Sequence, residues 1–414
     1  MLNWPHLADG LSFEWRRIRR HGIPALLLKA AARFAGLALW LTLLPLTIAL
    51  HLAGYRCITV FTDRVGHLAL EPDCLLKEHA LGLIRRRRWF ILAPPGRVAN
   101  CHLLNYWKPL IRVYEGNAVC FILASMSRWG LMRHDISHYT ITANKTQVAY
   151  RIYSQWGARP PLLFLTPADN SWAVGALREL GLPDGVWFVC VHVREPGFSP
   201  IDDELHAHRN GSIEATIPAM QEIIRRGGWV IRIGEATTKP LQPMSRTIDY
   251  AHHPMKCDRL DVILCARARF ILGNSSGIAL IGSVFGVPCA IANMIPTSDL
   301  WFNATDISIP KLLWSQRLGR HLRFDEAMAS PVAEYRYAKL YREAGLRVDE
   351  NSAEDIHDLV TEMLDRLEGR FEQLDGDAAL ARRFRSLLRK GRYAFDSSAR
   401  VGTLFLRKRA DLLS

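Results

Sequence analysis

Residues 269–293 constrain the fold more than any other part of the chain. A short apolar strand at 270–272 leads into a turn of small residues, and an apolar helix at 278–285 follows. A Gly-Val-Pro break then precedes a second strand at 289–292. A strand, a helix and a second strand in this order are typical of a parallel βαβ unit, so the segment predicts an α/β protein.

Further units of the same kind precede this segment. Residues 55–61 and 89–92 are predicted strands, and a helical stretch follows each of them. Residues 187–193 form an apolar run without alternation, as in a strand that is buried on both faces. A further strand is predicted at 229–233, after a helix that ends at a Gly-Gly pair. The repeats predict two Rossmann-like α/β domains that face a cleft.

The chain of 414 residues is long enough for these two domains and for extensions at both ends. We expect a basic and apolar membrane-associating segment at 1–54, a first α/β domain at 55–180 and a second at 181–350. A helical tail at 351–414 would follow, because Ser352 with an aspartate three residues later is typical of a helix N-cap.

The N-terminal segment contains an almost wholly apolar run at 34–53, close to the ~20 residues with which a helix crosses a bilayer. Either the run spans the membrane, or it lies in one leaflet, or it forms a buried helical hairpin. Pro45 would kink the helix, and a second basic run at 85–88 follows it, so we favour attachment to the anionic cytoplasmic face of the inner membrane. The basic residues before the run are Arg16, Arg17, Arg19, Arg20, Lys29 and Arg33.

Charge and cysteine content narrow the class of protein. The net charge is +13, which favours an anionic partner. The basic residues cluster beside the apolar run and do not alternate with aromatic ones, which argues against nucleic acid as that partner. The eight cysteines include no C-x-x-C pair, so we expect a reducing compartment and neither a disulfide framework nor a zinc site.

The turn at 273–277 is the first candidate binding element. Backbone N–H groups at a helix start and two hydroxyls suit a phosphate, and the glycines allow close approach, although they would equally serve a tight turn. The candidate residues of this turn are Asn274, Ser275, Ser276 and Gly277.

Other candidates follow the neighbouring strands, because ligands of parallel sheets bind beyond the carboxyl ends of the strands. Arg194 leaves the strand at 187–193 and can donate two hydrogen bonds to a phosphate, or pair with a carboxylate. Arg232 and Gly234 end the next strand along the chain. His192 is expected to be buried and hydrogen-bonded.

Two residues are candidate catalytic groups. His67 follows the first strand, where a neutral imidazole would accept a proton from an acceptor hydroxyl, or would cap a helix. Glu195 follows Arg194 at the expected ligand-binding edge. No histidine or cysteine spacing indicates a metal site, and we expect none.

The order of these motifs resembles the GT-B glycosyltransferases, and more closely a bacterial family of glycosyltransferases associated with surface polysaccharides. The similar stretches lie within residues 55–360, and Arg209 and Asn210 enter the candidate site through this resemblance. They are Arg64-Val65-Gly66-His67-Leu68, Val191-His192-Val193-Arg194-Glu195, Arg209-Asn210 with Ile213, Val230-Ile231-Arg232-Ile233-Gly234, Asn274-Ser275-Ser276-Gly277 and Glu350-Asn351-Ser352.

The resemblance implies a nucleotide-sugar donor, no cofactor and no obligatory metal. The acceptor would be a polysaccharide or glycolipid held by the first domain, and Arg194 would contact the donor diphosphate, as in the His-Val-Arg motif of some fucosyltransferases. One position departs from the pattern: many retaining GT-B enzymes have a glutamate where this chain has Ile281. The departure argues against that subgroup.

Two other functions remain open. The turn also matches G-x-S-x-G, so Ser275 would be the nucleophile of an α/β-hydrolase, with Asp299 or Asp306 and His321 as partners. The third possibility is a non-catalytic, membrane-bound protein of polysaccharide export, because the basic surface would also suit lipid.

Overall fold

The computed structural model describes residues 30–140, 147–197 and 200–413. The predicted basic flank from Arg16 to Lys29 lies outside these ranges. The chain divides into two compact units. Unit 1 comprises Met1–Thr59, Arg87–Arg97 and Ile111–Asp135, and unit 2 comprises Val60–Arg86, Val98–Leu110 and Ile136–Ser414.

The secondary structure alternates strands and helices as predicted. The strands β1 to β14 span Tyr55–Ile58, Arg88–Leu92, Arg112–Tyr114, Arg133–His134, Phe188–His192, Trp229–Arg232, Thr247–Asp249, Ile271–Gly273, Cys289–Met294, Ile307–Pro310, Leu312–Ser315, Arg320–His321, Leu346–Asp349 and Arg400–Val401. The α-helices α1 to α16 of the described residues span Ala30–Thr42, Leu44–Leu52, Val65–Ala80, Cys101–Trp107, Asn117–Ser127, Gln147–Trp156, Pro167–Glu179, Pro200–His206, Ile217–Arg225, Asp258–Arg267, Ala279–Val284, Phe324–Ala327, Ala338–Glu343, Ala353–Leu367, Asp377–Leu387 and Thr403–Lys408.

Unit 1 contains a four-stranded parallel sheet in the order β3-β2-β1-β4. Its core contains Cys57 and Phe90 of the sheet and Met126 of α5. Helices α1 and α2 meet at a bend of 66°, and Pro45 lies in the first turn of α2, so the predicted kink is confirmed. Within the described ranges, no helix is by itself both long and apolar enough to cross a bilayer, whereas the bent pair passes that test as a whole.

Unit 2 contains a seven-stranded sheet in the order β7-β6-β5-β8-β9-β10-β14, and every strand pair is parallel. From β5 the chain continues outward through β6 and β7, and from β8 it continues in the opposite direction. This is the order 3-2-1-4-5-6 of dinucleotide-binding folds with one more strand at the end. The predicted α/β class with parallel sheets is confirmed, and the cleft between two domains stays a prediction.

The units group the chain differently from the predicted ranges 55–180 and 181–350. Helices α3, α4, α6 and α7 follow the first strands in sequence, yet they belong to unit 2. The capping box of Ser352 and Asp355 is confirmed. The tail after it is not only helical, because β14 pairs with β10 and extends the large sheet. A strand of two residues is too short to show a sequence pattern.

Helix α3 carries an internal proline, and the fold compensates for it. Pro72 has no N–H to donate to the carbonyl of Leu68, four residues earlier. The indole N–H of Trp107, on α4, donates to that carbonyl at 2.9 Å. This bond helps α3 to continue past the proline and to present its first turn to the candidate site.

Candidate functional site

The predicted site residues meet at the reversal point of the seven-stranded sheet. Strands β5 and β8 are neighbours there, and His192 pairs in register with Gly273. The loops after the two strands carry Arg194 and the turn 274–277. Ligands of open α/β sheets bind in the crevice that forms where the strand order reverses. The strand order therefore brings together two segments that are about eighty residues apart in sequence.

Asn274 joins three loops through its side-chain amide. Its Oδ1 accepts the backbone N–H of Arg194 at 3.0 Å, and its Nδ2 donates to the carbonyl of Arg209 at 3.2 Å. The residue is 2% exposed. The amide of Asn274 therefore holds these loops together, and its predicted contact with the donor stays a prediction.

Arg194 and Arg209 brace the same loops with their guanidinium groups. Arg194 donates from Nη1 to the side-chain oxygen of Asn210 and to the carbonyl of His206, the latter at 3.3 Å. Arg209 donates from Nε to the carbonyl of Ser275 at 3.1 Å. In these contacts both guanidinium groups donate to neutral oxygens, Arg194 to the loop at 206–210 and Arg209 to the turn itself.

Lys311 supports this loop and was not found from the sequence. Its ammonium group donates to the backbone carbonyl of Asn210 at 2.6 Å, and the residue is 2% exposed. Burial lowers the pKa of Lys311 to about 8. The signal in the sequence is a lysine directly after the apolar strand β10, because lysine is almost never fully buried unless it is paired.

His192 and Ser276 form a hydrogen bond of 2.8 Å between Nε2 and Oγ. Nδ1 of His192 lies 3.2 Å from the carbonyl of Ile233, which can only accept, so Nδ1 carries the proton and Nε2 accepts from Ser276. Burial lowers the pKa of His192 to about 4, which keeps the ring neutral. His192 is thus hydrogen-bonded, as predicted, and the hydroxyl proton of Ser276 is directed to His192.

Gly234 has a structural reason to be glycine. Its φ is +148°, and a Cβ at this position would lie 3.3 Å from Nδ1 of His192. The imidazole of His192 lies where that Cβ would be, and the predicted approach of a ligand to the backbone of Gly234 stays a prediction.

Arg232 and Glu195 form an ion pair. The Arg232 guanidinium is 1% exposed, and it contacts Glu195 at 3.1 Å and Asp249 at 2.9 Å. With two carboxylate partners and almost no exposed surface, Arg232 is engaged within the protein, and its contact with a donor stays a prediction. Burial raises the pKa of Glu195. Its carboxylate is engaged by Arg232, which opposes the predicted role as a catalytic group.

Two glycines bring the first turn of α3 against the turn 274–277. A Cβ on Gly66 would lie 2.8 Å from Cα of Gly277, and a Cβ on Gly277 would lie 3.0 Å from the backbone nitrogen of Gly66. Helix α11 after the turn has only six residues, fewer than predicted, whereas α3 has sixteen. The contact places His67, the next residue of α3, beside the turn.

A buried carboxylate orients His67. Nδ1 of His67 lies 2.7 Å from Oε1 of Glu71, which also accepts the hydroxyl of Thr140 at 2.7 Å. Glu71 is 1% exposed, and its Oε2 has no hydrogen-bond partner within the described part of the chain. Nδ1 therefore donates to Glu71, and Nε2 is the ring atom left to accept a proton.

The residues of the hydrolase alternative do not come together. Asp299 accepts the hydroxyl of Tyr150, and Asp306 accepts backbone N–H groups, including that of Cys289 at 2.9 Å. His321 pairs with Asp349 at 2.9 Å, in the small antiparallel sheet β12-β11-β13, which the sequence did not predict. No triad forms around Ser275 among the described residues. In the same part of the chain, no three His, Cys, Asp or Glu side chains gather as metal ligands do.

No family model and no curated protein sequence matches the chain. Among solved structures, it is similar to a glycosyl transferase of family 9 from Veillonella parvula, with 12% identity and a TM-score of 0.40 over 62% of this chain and 86% of that one. It is also similar to the ADP-heptose lipopolysaccharide heptosyltransferase II of Escherichia coli, with 12% identity and a TM-score of 0.42 over 76% and 99%. A third is the iron-containing dodecameric glycosyltransferase TibC of enterotoxigenic E. coli, with 10% identity and a TM-score of 0.38 over 76% of each chain.

Proposed function

We propose that the protein transfers a sugar from a nucleotide-sugar donor to an envelope polysaccharide or glycolipid. The observation that carries the proposal is the contact between Gly66 and Gly277. Beside this contact lies an oriented histidine, the guanidinium of Arg209 donates to Ser275 of the turn, and the backbone N–H of Arg194 donates to Asn274. A sugar transferase needs a base for the acceptor hydroxyl close to positive charge for the leaving diphosphate.

The donor diphosphate would lie against the turn 274–277. Arg194 and Arg209 supply positive charge there, and the backbone N–H groups of the turn and of the first turn of α3 supply hydrogen-bond donors. For Ser276 we propose the role of a hydrogen-bond acceptor for the donor. Because its proton is directed to His192, its oxygen would accept a hydrogen bond from a donor hydroxyl instead of donating one to phosphate.

The acceptor hydroxyl would approach His67. In the proposed step, its oxygen attacks the anomeric carbon, the bond from that carbon to the diphosphate oxygen breaks, and the hydroxyl proton moves to Nε2 of His67. Glu71 holds the ring by its Nδ1 proton and stabilises the imidazolium that forms. The arginines meet the charge of the leaving diphosphate, so this mechanism assigns no step to a metal ion.

A thermal-shift screen of UDP-, GDP-, CMP- and ADP-sugars tests donor binding. We expect one nucleotide class to raise the melting temperature of the wild-type protein by mass action. For that nucleotide sugar, Arg209→Gln and Arg194→Ala should raise Kd at least about tenfold, which corresponds to ~1.4 kcal/mol. Arg178→Gln is the matched control, since Arg178 lies in an exposed surface pair with Asp184.

The outcome separates the proposed functions. Binding that depends on Arg194 and Arg209 supports a transferase. If no nucleotide sugar stabilises the protein, the transferase is contradicted and the non-catalytic export protein is favoured. Attachment to the cytoplasmic face of the inner membrane and independence from metals stay predictions from the sequence.

A further inference from the structure

We propose that helices α1, α2 and α5 of unit 1 form a surface that inserts into one leaflet of an anionic phospholipid membrane. The sequence assigned membrane association only to residues 1–54, and it left open whether the apolar run spans the bilayer. The structure adds α5 to this surface, and the inference does not depend on the transferase function. We call these three helices the apolar surface.

Large apolar side chains are exposed on the apolar surface to an unusual degree. Ten of the 21 exposed large hydrophobic residues of the described chain lie in unit 1, although it is the smaller unit. Soluble proteins rarely leave such side chains clustered in contact with water unless they bind a partner or a membrane. Nine of the ten lie in the three helices, and Trp129 follows α5: they are Phe34, Leu37, Leu41, Leu46, Ile48, Leu52, Val119, Phe121, Ile122 and Trp129.

Helix α5 is part of the same surface because it packs directly against α1. A Cβ on Gly36 would lie 3.2 Å from the hydroxyl oxygen of Ser125, so the two helices approach closely there. The rings of Trp40 and Trp129 lie 4.6 Å apart, and Arg128 donates to the carbonyl of Arg33 at 3.4 Å. Inward-facing Leu43 and Leu123 pack on one core, which leaves the other sides of the helices exposed.

The charges of unit 1 select the partner. Its described residues include eight arginines and no lysine, against the two acidic residues Glu115 and Asp135. Guanidinium groups bind phosphate through paired hydrogen bonds, and tryptophan favours the boundary between lipid and water. An anionic leaflet offers apolar chains and phosphates together. The arginines are Arg33, Arg56, Arg87, Arg88, Arg97, Arg112, Arg128 and Arg133.

Helix lengths indicate insertion into one leaflet. The eleven residues of α5 extend about 16 Å and the nine of α2 about 14 Å, at 1.5 Å per residue. Both lengths are well below the ~30 Å of the hydrocarbon core. The 66° bend between α1 and α2 prevents them from acting as one straight span. Helices of this kind lie in the interface with their apolar sides in the lipid.

Co-sedimentation of the full chain with lipid vesicles tests the proposal. We expect binding to phosphatidylcholine vesicles that contain phosphatidylglycerol, and at least tenfold weaker partition into phosphatidylcholine alone. The double variant Phe121→Ser/Ile122→Ser on α5 should lower the partition into anionic vesicles at least tenfold. Phe164→Ser/Leu374→Ser is the matched control, because both residues are exposed and apolar but lie in unit 2, and it should bind like the wild type.

Circular dichroism melting shows whether each variant is folded, and Leu46→Ser/Leu52→Ser on α2 replaces the α5 variant if that one is not. Three results would overturn the proposal. The first is that the wild-type protein does not sediment with anionic vesicles, and the second is that the folded apolar-surface variants sediment as well as the control does. The third is a stable dimer in light scattering that these variants dissociate, because a second copy of the chain would then cover the surface.

Discussion

Gly66 and Gly277 meet backbone to backbone, and neither position has room for a side chain. A methyl group at Gly66 would push α3 away from the turn 274–277, because the atom it meets belongs to the main chain. Gly66→Ala should therefore lower the free energy of unfolding by roughly 1–3 kcal/mol, as overpacking does. It should also weaken nucleotide-sugar binding. Urea unfolding and the thermal-shift titration measure the two effects.

Gly175→Ala is the control for this variant. Gly175 lies in α7, and a Cβ there meets nothing within 4 Å. Alanine favours a helix over glycine, so this variant should be as stable as the wild type or more stable. Equal stability of Gly66→Ala and Gly175→Ala would show that the contact between α3 and the turn does not constrain the structure.

Lys311 carries a buried charge and also supports a loop of the candidate site, and one substitution separates the two effects. Lys311→Met removes a buried charge whose desolvation is costly, and it also removes the hydrogen bond to the carbonyl of Asn210. We expect the free energy of unfolding to stay unchanged or to rise, while Kd for the nucleotide sugar rises about tenfold. The loop that holds Asn210 against Arg194 would lose its support. Lys339→Met, at an exposed position, should change neither quantity.

Sequence patterns predicted the parallel sheets and the strand ends because both depend on local information. An apolar run such as 187–193 predicts a buried strand. The residue that follows the run is then predicted to lie at the carboxyl edge of the sheet, as Arg194 does. The same reasoning did not show the partners of Arg232. Its position at the end of a strand was visible, but the carboxylates that contact it come from Glu195 and Asp249.

Lys311 and Glu71 were missed for a related reason. Each acts on a candidate residue through the fold, and the local pattern shows its position but not the residue that it contacts. Lys311 contacts Asn210 across one hundred residues of sequence. Glu71 lies one helical turn after His67, a spacing visible in the sequence, but its burial against Thr140 depends on packing. A single amino-acid sequence does not show which distant residue will bury a charged side chain or form an ion pair with it.

Two histidines with lowered pKa values predict loss of stability in acid. Burial lowers the pKa of His192 to about 4 and that of His208 to about 3, whereas both titrate near 6.5 in the unfolded chain. The unfolded state binds the protons first, so the stabilisation is complete above about pH 6.5 and is lost as the pH falls toward these values. Each histidine contributes a slope of about 1.4 kcal/mol per pH unit within that window.

The variant His208→Phe isolates one of these contributions. The ring of His208 packs 5.3 Å from that of Tyr341, and phenylalanine keeps an aromatic contact there while removing the titration. Urea unfolding at about pH 7 and about pH 5 should show a smaller loss for the variant than for the wild type, by roughly 2 kcal/mol. Identical losses in the two proteins would mean that His208 takes up its proton in the folded state.

The proposed catalytic pair makes a prediction that separates chemistry from binding. In Glu71→Gln the amide replaces the carboxylate next to Nδ1 of His67, so the imidazolium formed in the transfer step loses its negative partner. We expect kcat for transfer of a radiolabelled sugar to a lipid extract to fall by about 10²-fold, as for loss of general-base assistance, with KM for the donor unchanged. Glu179→Gln, at an exposed position at the end of α7, should retain full activity. A parallel rise in KM would indicate that Glu71 holds the turn in place. An unchanged kcat would contradict the proposed role of His67, because an imidazolium formed there would need the negative charge of Glu71.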